Sequence, residues 1–163
     1  MEKTGEQLLE LYGNRVRLRV CGICTDGDKI LLVGHSLPGH FETFWSPPGG
    51  GQQFGETSRD TLKREFLEET GLRVDVGEML FVNEFIEPPL HAIELFFRIN
   101  SFEGKLITGK DPEFSDDNQI IGETRFMSID EILTLPEVSR HGILKNIQSV
   151  TEILHLSGFL SEC

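Results

Sequence analysis

The stretch from Pro48 to Leu72, PGGGQQFGETSRDTLKREFLEETGL, constrains this chain more than any other. It reads as a glycine-rich turn followed by a helix from Thr57 to Thr70, with Thr57 or Ser58 as N-cap and Gly71 as a left-handed C′ residue. Glu65, Glu68 and Glu69 fall within that helix, beside Arg64. At roughly 100° of rotation per residue, the three carboxylates share an arc of about 100°. Glu65 and Glu69 are also i,i+4 neighbours, a like-charge spacing that weakens an isolated helix by a few tenths of a kcal/mol. A helix face selected only for solubility would interleave lysines. Carboxylates crowded on one face point instead to a hard cation with oxygen ligands.

With 163 residues the chain is long enough for one domain with a proper core. The formal net charge of −12 means that the average surface repels nucleic acid and anionic membranes. An anionic substrate would therefore need local compensation by metal and by placed arginines. Cys21 and Cys24 are spaced C-x-x-C in a strand-like run, where i and i+3 point to opposite faces, so two buried cysteines are expected rather than a zinc or redox site. The charged N-terminus does not read as a signal peptide, and no apolar run reaches membrane-span length, so a cytoplasmic location is expected.

Along the chain, Thr4 with Gln7 and the apolar Leu8, Leu9, Leu11 and Tyr12 predict a short helix over residues 4–12. Val16, Leu18 and Val20 alternate with Arg15, Arg17 and Arg19, predicting a strand with one wet face. Asp26-Gly27 predicts a hairpin turn into a strand from Lys29 to Val33, and His35 to Phe44 a loop. Strands follow over Leu72–Ile86, interrupted near Gly77, over His91–Ile99, and over Thr124–Ile129; Lys110 to Asn118 reads as an acidic loop. Ser128 with Glu131 caps a short helix, and Ile143, Leu144, Ile147, Val150, Ile153 and Leu154 predict a closing amphipathic helix over residues 139–156. Strands in the middle with flanking helices imply an α/β fold, a mixed sheet between helical layers.

Gly50, Glu56, Arg64, Glu65, Phe66, Glu68, Glu69, Gly71 and Leu72 satisfy every specified position of the pattern G-x5-E-x7-R-E-U-x-E-E-x-G-U, in which U is bulky and apolar. That pattern is the Nudix box, so the chain resembles the Nudix hydrolases. The resemblance implies an α/β/α sandwich and hydrolysis of a nucleoside diphosphate linked to another moiety, with Mg²⁺ or Mn²⁺ as cofactor and a homodimer as a plausible assembly. It implies metal ligation by the Gly49 carbonyl and by Glu65, Glu68 and Glu69, with Glu65 also a candidate general base. Arg64 would orient the glutamates, while Gly50, Glu56 and Gly71 would support the box. The resemblance also implies a further carboxylate from the acidic loop, with Glu113, Asp116 and Asp117 as candidates; Gln119 stands where many relatives carry glutamate.

For the substrate, Phe41 and Phe44 are candidate stacking residues and Trp45 is read as core. His91 and Glu94 are possible pocket residues, and Arg17, Arg19 or Arg98 could meet phosphates. Pro88 stands where ADP-ribose-type relatives carry a marker proline. The competing readings are a non-catalytic nucleotide-sensing domain and an isoprenoid diphosphate isomerase. The complete set of box glutamates weighs against both.

Overall fold

A computed structural model describes residues 6, 9–36, 42–116 and 119–161. Two sheets are stacked between helices. The first has five strands in the order β5 (Gly49–Gly51), β1 (Val16–Ile23), β7 (Leu90–Glu103), β6 (Arg73–Glu87) and β9 (Gly158–Ser161). It is mixed: β1 runs parallel to β7 and β9 parallel to β6, while the remaining pairs are antiparallel. The second sheet is built on β3 (Lys29–Ser36), which pairs antiparallel with β2 (Thr25–Asp26), β4 (Thr43–Ser46) and β8 (Ile121–Ser128).

Helix α1 (Ser58–Thr70) lies on one face of the five-stranded sheet. Its Leu62 and Phe66, one turn apart, are fully buried against Val20, Val74, Val76, Phe97 and Ile99. The opposite core layer joins Cys21, Ile30, Leu32, Trp45, Phe81 and Phe96 to Ile132 of α2 (Ile129–Thr134) and Ile153 of α3 (Val150–Leu154). The expected α/β layering is thus present. Cys21 and Cys24 are free thiols that enter opposite core layers, as their spacing requires, and Trp45 is core. No described helix is long and apolar enough to cross a membrane.

Several boundaries differ from expectation. Residues 9–12 are helical, but the expected start of that helix at Thr4 lies outside the described residues. β6 runs through Gly77 without a break, because the shifts of register between Asp75 and Phe81 accommodate it as bulges. The closing helix over 139–156 does not form. Two 3₁₀ turns (Glu137–Ser139 and Gly142–Leu144) precede α3, which is helical only over Val150–Leu154. Local caps explain this: the His141 ring accepts from the Ile143 amide and Ser149 accepts from the Glu152 amide, so each turn starts afresh. The apolar residues read as one stripe still bury Ile143, Leu144, Ile147 and Ile153.

Strand β1 departs from the expected alternation in its first half, although Val20 is buried as expected. Val16 and Leu18 are 61% and 43% exposed, while Arg17 and Arg19 turn inward. Across the sheet, Arg17 is in register with Ala92 and Ala92 with Phe85; one step deeper, Arg19 aligns with Glu94 and Gly51, and Glu94 with Asn83. A polar floor therefore overlies the apolar row of Phe81, Phe96 and Cys21.

Candidate active site

Helix α1 begins at Thr57, whose side chain accepts from the Asp60 amide, and ends at Gly71 in the left-handed conformation (φ 73°). With Leu62 and Phe66 anchored in the core, the helix turns Glu65, Glu68 and Glu69 toward strand β5. The glycines of β5 make that approach possible. A Cβ on Gly50 would lie 2.4 Å from the Glu65 carboxyl carbon, and the Gly49 amide donates to Glu69 Oε2 at 3.0 Å.

Arg64 holds this cluster together. Its Nε donates to Glu56 Oε1 at 2.8 Å, while one terminal nitrogen reaches Glu65 at 2.7 Å and Glu68 at 3.1 Å. The other reaches Glu56 Oε2 at 3.1 Å and the Gly51 carbonyl at 3.3 Å. Hydrogen bonding from Arg64 holds the Glu56 carboxyl down at about 2, while burial and the neighbouring Glu69 raise that of Glu65 to about 7. One side of the cluster is a saturated ion pair, and the other is short of positive charge.

The short side faces a cavity of about 300 Å³ lined by Gly49, Glu65, Glu68 and Glu69, with Arg17, Arg19 and His35 also on its surface. Phe44, Phe85, Pro88 and Val138 give it an apolar part. The donor set suits a hard divalent cation: three carboxylates, one with its affinity for a positive charge raised, and a backbone carbonyl. In the present arrangement the Gly49 carbonyl instead accepts from an Arg19 terminal nitrogen at 3.1 Å. No three described carboxylate, histidine or cysteine side chains converge closely enough to enclose an ion, and Glu65 and Glu68 are paired with Arg64.

The residues expected outside the helix are placed unevenly. Phe44 lines the cavity, whereas Phe41 and Asp117 lie outside the described residues. Glu94 is not a cavity residue; it is buried beneath the floor, where its carboxylate meets His141 Nε2 at 2.8 Å, Asn83 Nδ2 at 3.1 Å and Arg19 at 3.5 Å. Asp116 turns away to pair with Lys110 at 2.7 Å. Glu113 lines the cavity, accepting a hydrogen bond from the Tyr12 hydroxyl. Gln119 acts as a staple for the acidic loop, accepting from the Asp111 amide at 2.7 Å and donating to the Phe114 carbonyl at 2.7 Å.

Among the cavity residues that escaped sequence reasoning are Asp111 and His35. Asp111 lies at the start of the acidic loop, and burial raises its carboxyl pKa. His35 sits on β3 with Nε2 3.9 Å from Glu69; the strand runs three residues beyond Val33, to Ser36. Arg98, by contrast, pairs with Glu78 at 2.7 Å and does not line the cavity.

These observations place a complete, arginine-braced box at the mouth of a mixed-sheet cavity. The model of the NUDIX domain matches residues 14–145. The chain belongs to the Nudix family. A Bacillus subtilis protein named "Uncharacterized Nudix hydrolase YvcI" is 29% identical over 140 residues, 85% of this chain and 83% of that one. An ADP-ribose pyrophosphatase of Methanocaldococcus jannaschii is 34% identical over 106 residues, 62% of each chain. The Nudix fold itself is shared with a NUDIX hydrolase from Nitrosomonas europaea, at a TM-score of 0.64 and 20% identity over 86% of this chain and 89% of that one.

The buried Glu94 gives a measurable pH dependence. Burial alone would raise its carboxyl pKa, but His141, Arg19 and Asn83 outweigh it and hold it at about 2, against 4.5 when unperturbed. The folded value lies below the unfolded one, so this stabilisation is complete above pH 4.5 and is lost as pH falls through about 2. The full contribution is on the order of 3 kcal/mol. Chemical denaturation between pH 6 and pH 2.5 should show a steeper loss for the wild type than for Glu94→Gln.

Proposed function

We infer that this Nudix hydrolase cleaves the pyrophosphate bond of a nucleoside diphosphate linked to another moiety, by attack of water at phosphorus. The substrate is of the nucleoside triphosphate, ADP-ribose or nucleotide-sugar type. The observation that carries this reading is the cavity itself, in which Glu65, Glu68, Glu69 and the Gly49 carbonyl share one lining with the guanidinium groups of Arg17 and Arg19. A diphosphate needs both: oxygen ligands for a cation at the reacting phosphate, and fixed positive charge for the rest of its anionic oxygens. The similarity to an archaeal ADP-ribose pyrophosphatase supports the substrate class, as does Pro88 on the cavity lining.

Glu65, Glu68 and Glu69, with the Gly49 carbonyl, would hold Mg²⁺ or Mn²⁺. Bound there, such an ion polarises a phosphoryl oxygen and acidifies water. The chain's own groups do the rest. Arg64 fixes the rotamers of Glu65 and Glu68 through its ion pairs, and Glu56 in turn fixes Arg64. The proton of the attacking water passes to a cavity carboxylate, for which Glu65 and Asp111, both with proton affinity raised by burial, are the candidates. Phe44 and Phe85 supply aromatic faces for the nucleoside end. Both core layers draw side chains from the two sheets, which supports reading the chain as one hydrolase domain.

The test is a panel of nucleoside triphosphates, ADP-ribose, NADH, dinucleoside polyphosphates and nucleotide sugars, each with Mg²⁺ or Mn²⁺. Release of a nucleoside monophosphate from at least one member is expected. Inactivity across the panel would favour a nucleotide-sensing domain.

A further inference from the structure

Three arginines line the cavity, and two of them already hold protein acceptors. Arg64 is shared among Glu56, Glu65 and Glu68, and Arg19 is divided between the Gly49 carbonyl and Glu94. Arg17 is different. Its Nε is buried with no hydrogen-bond partner among the described residues, although a guanidinium nitrogen removed from water normally finds an acceptor. Its guanidinium carbon lies over the Tyr12 ring, 4.1 Å from the ring centre, a cation–π contact that positions the group. Tyr12 is in turn tied to the acidic loop by donating to Glu113. Burial and the neighbouring Arg19 lower the Arg17 pKa only to about 10, so the group stays charged at neutral pH.

An orphaned, oriented and charged donor on a cavity wall has the properties of a subsite awaiting an anion. Guanidinium geometry matches phosphate oxygens in particular, because two parallel N–H donors can engage one phosphoryl group. The strand register separates Arg17 from the glutamates: Arg17 aligns with Ala92 and Phe85, whereas Gly49, which bonds Glu69, aligns with Cys21 two steps deeper.

We propose that Arg17, positioned over the Tyr12 ring, is the subsite for the substrate phosphate that is not attacked, so that it sets affinity for the diphosphate and takes no part in the chemical step. This rests on the hydrolase reading above and names the residue that recognises the second phosphate. Uniform binding of this kind appears in KM and not in kcat.

Two measurements separate this inference from the reading it rests on. In steady-state assays on the panel member turned over, Arg17→Ala should raise KM by about 10- to 100-fold, with kcat within about threefold. Arg17→Lys, which keeps the charge and loses the fork, should fall between wild type and alanine. In calorimetric titrations with α,β-methylene-ADP and Mg²⁺, the same order of affinities is expected without turnover. Thermal unfolding of both variants checks that each is folded, and the lysine variant carries the comparison if the alanine variant is not. Turnover with unchanged KM and unchanged analogue affinity in the variants would overturn the subsite and leave the hydrolase reading intact. An inactive panel with analogue binding that Arg17→Ala weakens would overturn the hydrolase reading and leave the subsite. An inactive panel together with no analogue binding by the wild type would overturn both.

Discussion

Glu69→Gln should lower kcat by at least about 10²- to 10³-fold, the usual effect of removing one preorganised charge from a reacting centre. The fold should survive, because glutamine keeps an oxygen that can accept from the Gly49 amide, the 3.0 Å bond that joins helix α1 to strand β5. It also removes one of the three carboxylates crowded on the same helix face, and that repulsion contributes to raising the Glu65 pKa to about 7. The variant should therefore unfold at the wild-type temperature or slightly above it while losing turnover. Stability and activity moving apart in this way is the mark of a residue retained for chemistry. Glu68→Gln should behave alike, since its half-buried carboxylate shares the same Arg64 nitrogen as Glu65. Circular-dichroism melting beside a single-turnover assay checks both quantities, and undiminished turnover in both variants would remove these carboxylates from the reaction.

The second large effect is on stability. A Cβ added at Gly49 would meet the Val20 carbonyl oxygen at 2.2 Å and the Cys21 Cα at 2.6 Å, both backbone atoms of the neighbouring strand. Neither can move without breaking the β1–β5 ladder, in which Cys21 is the register partner of Gly49. Gly49→Ala should cost about 3 kcal/mol, a value for severe overpacking. In a chain of this size that lowers Tm by roughly 10 °C. The next two glycines should respond differently. At Gly50 the clash is with the end of the Glu65 side chain, so Gly50→Ala should displace that carboxylate and reduce activity at a smaller cost in stability. At Gly51 no atom lies within 4 Å of the added carbon, and stability should be nearly unchanged. Calorimetric melting of the three variants would test this order; equal Tm losses at all three positions would contradict it.

The legible part of the site is its local part. Glu65, Glu68, Glu69 and Arg64 are set by helix periodicity, and the capping residues Thr57 and Gly71 fix the helix ends, so sequence spacing was sufficient to group them. Residues that reach the cavity from elsewhere were not legible in that way. Alternation along β1 suggested that Val16 and Leu18 face the core, but of the alternating Val16, Leu18 and Val20 only Val20 packs against α1, and the opposite face lines the cavity. Hydrophobic pattern identifies the buried face only where the interior is apolar. Asp111 and His35 depend on the path of a loop and on where a strand ends, features that boundary signals locate poorly. Glu94 was correctly placed on a strand, but its role beneath Arg19 depends on His141, 47 residues away, which no local pattern can supply.

The central claim is that this carboxylate face works through a divalent cation on a phosphoanhydride. Its most direct measurement is the rate of nucleoside monophosphate release from the preferred panel substrate, first with EDTA and then with Mg²⁺ or Mn²⁺ added back in excess. The account predicts no release above background in EDTA and full recovery on adding the metal, with no recovery in Glu69→Gln at the same metal concentration. Undiminished turnover in EDTA would contradict it.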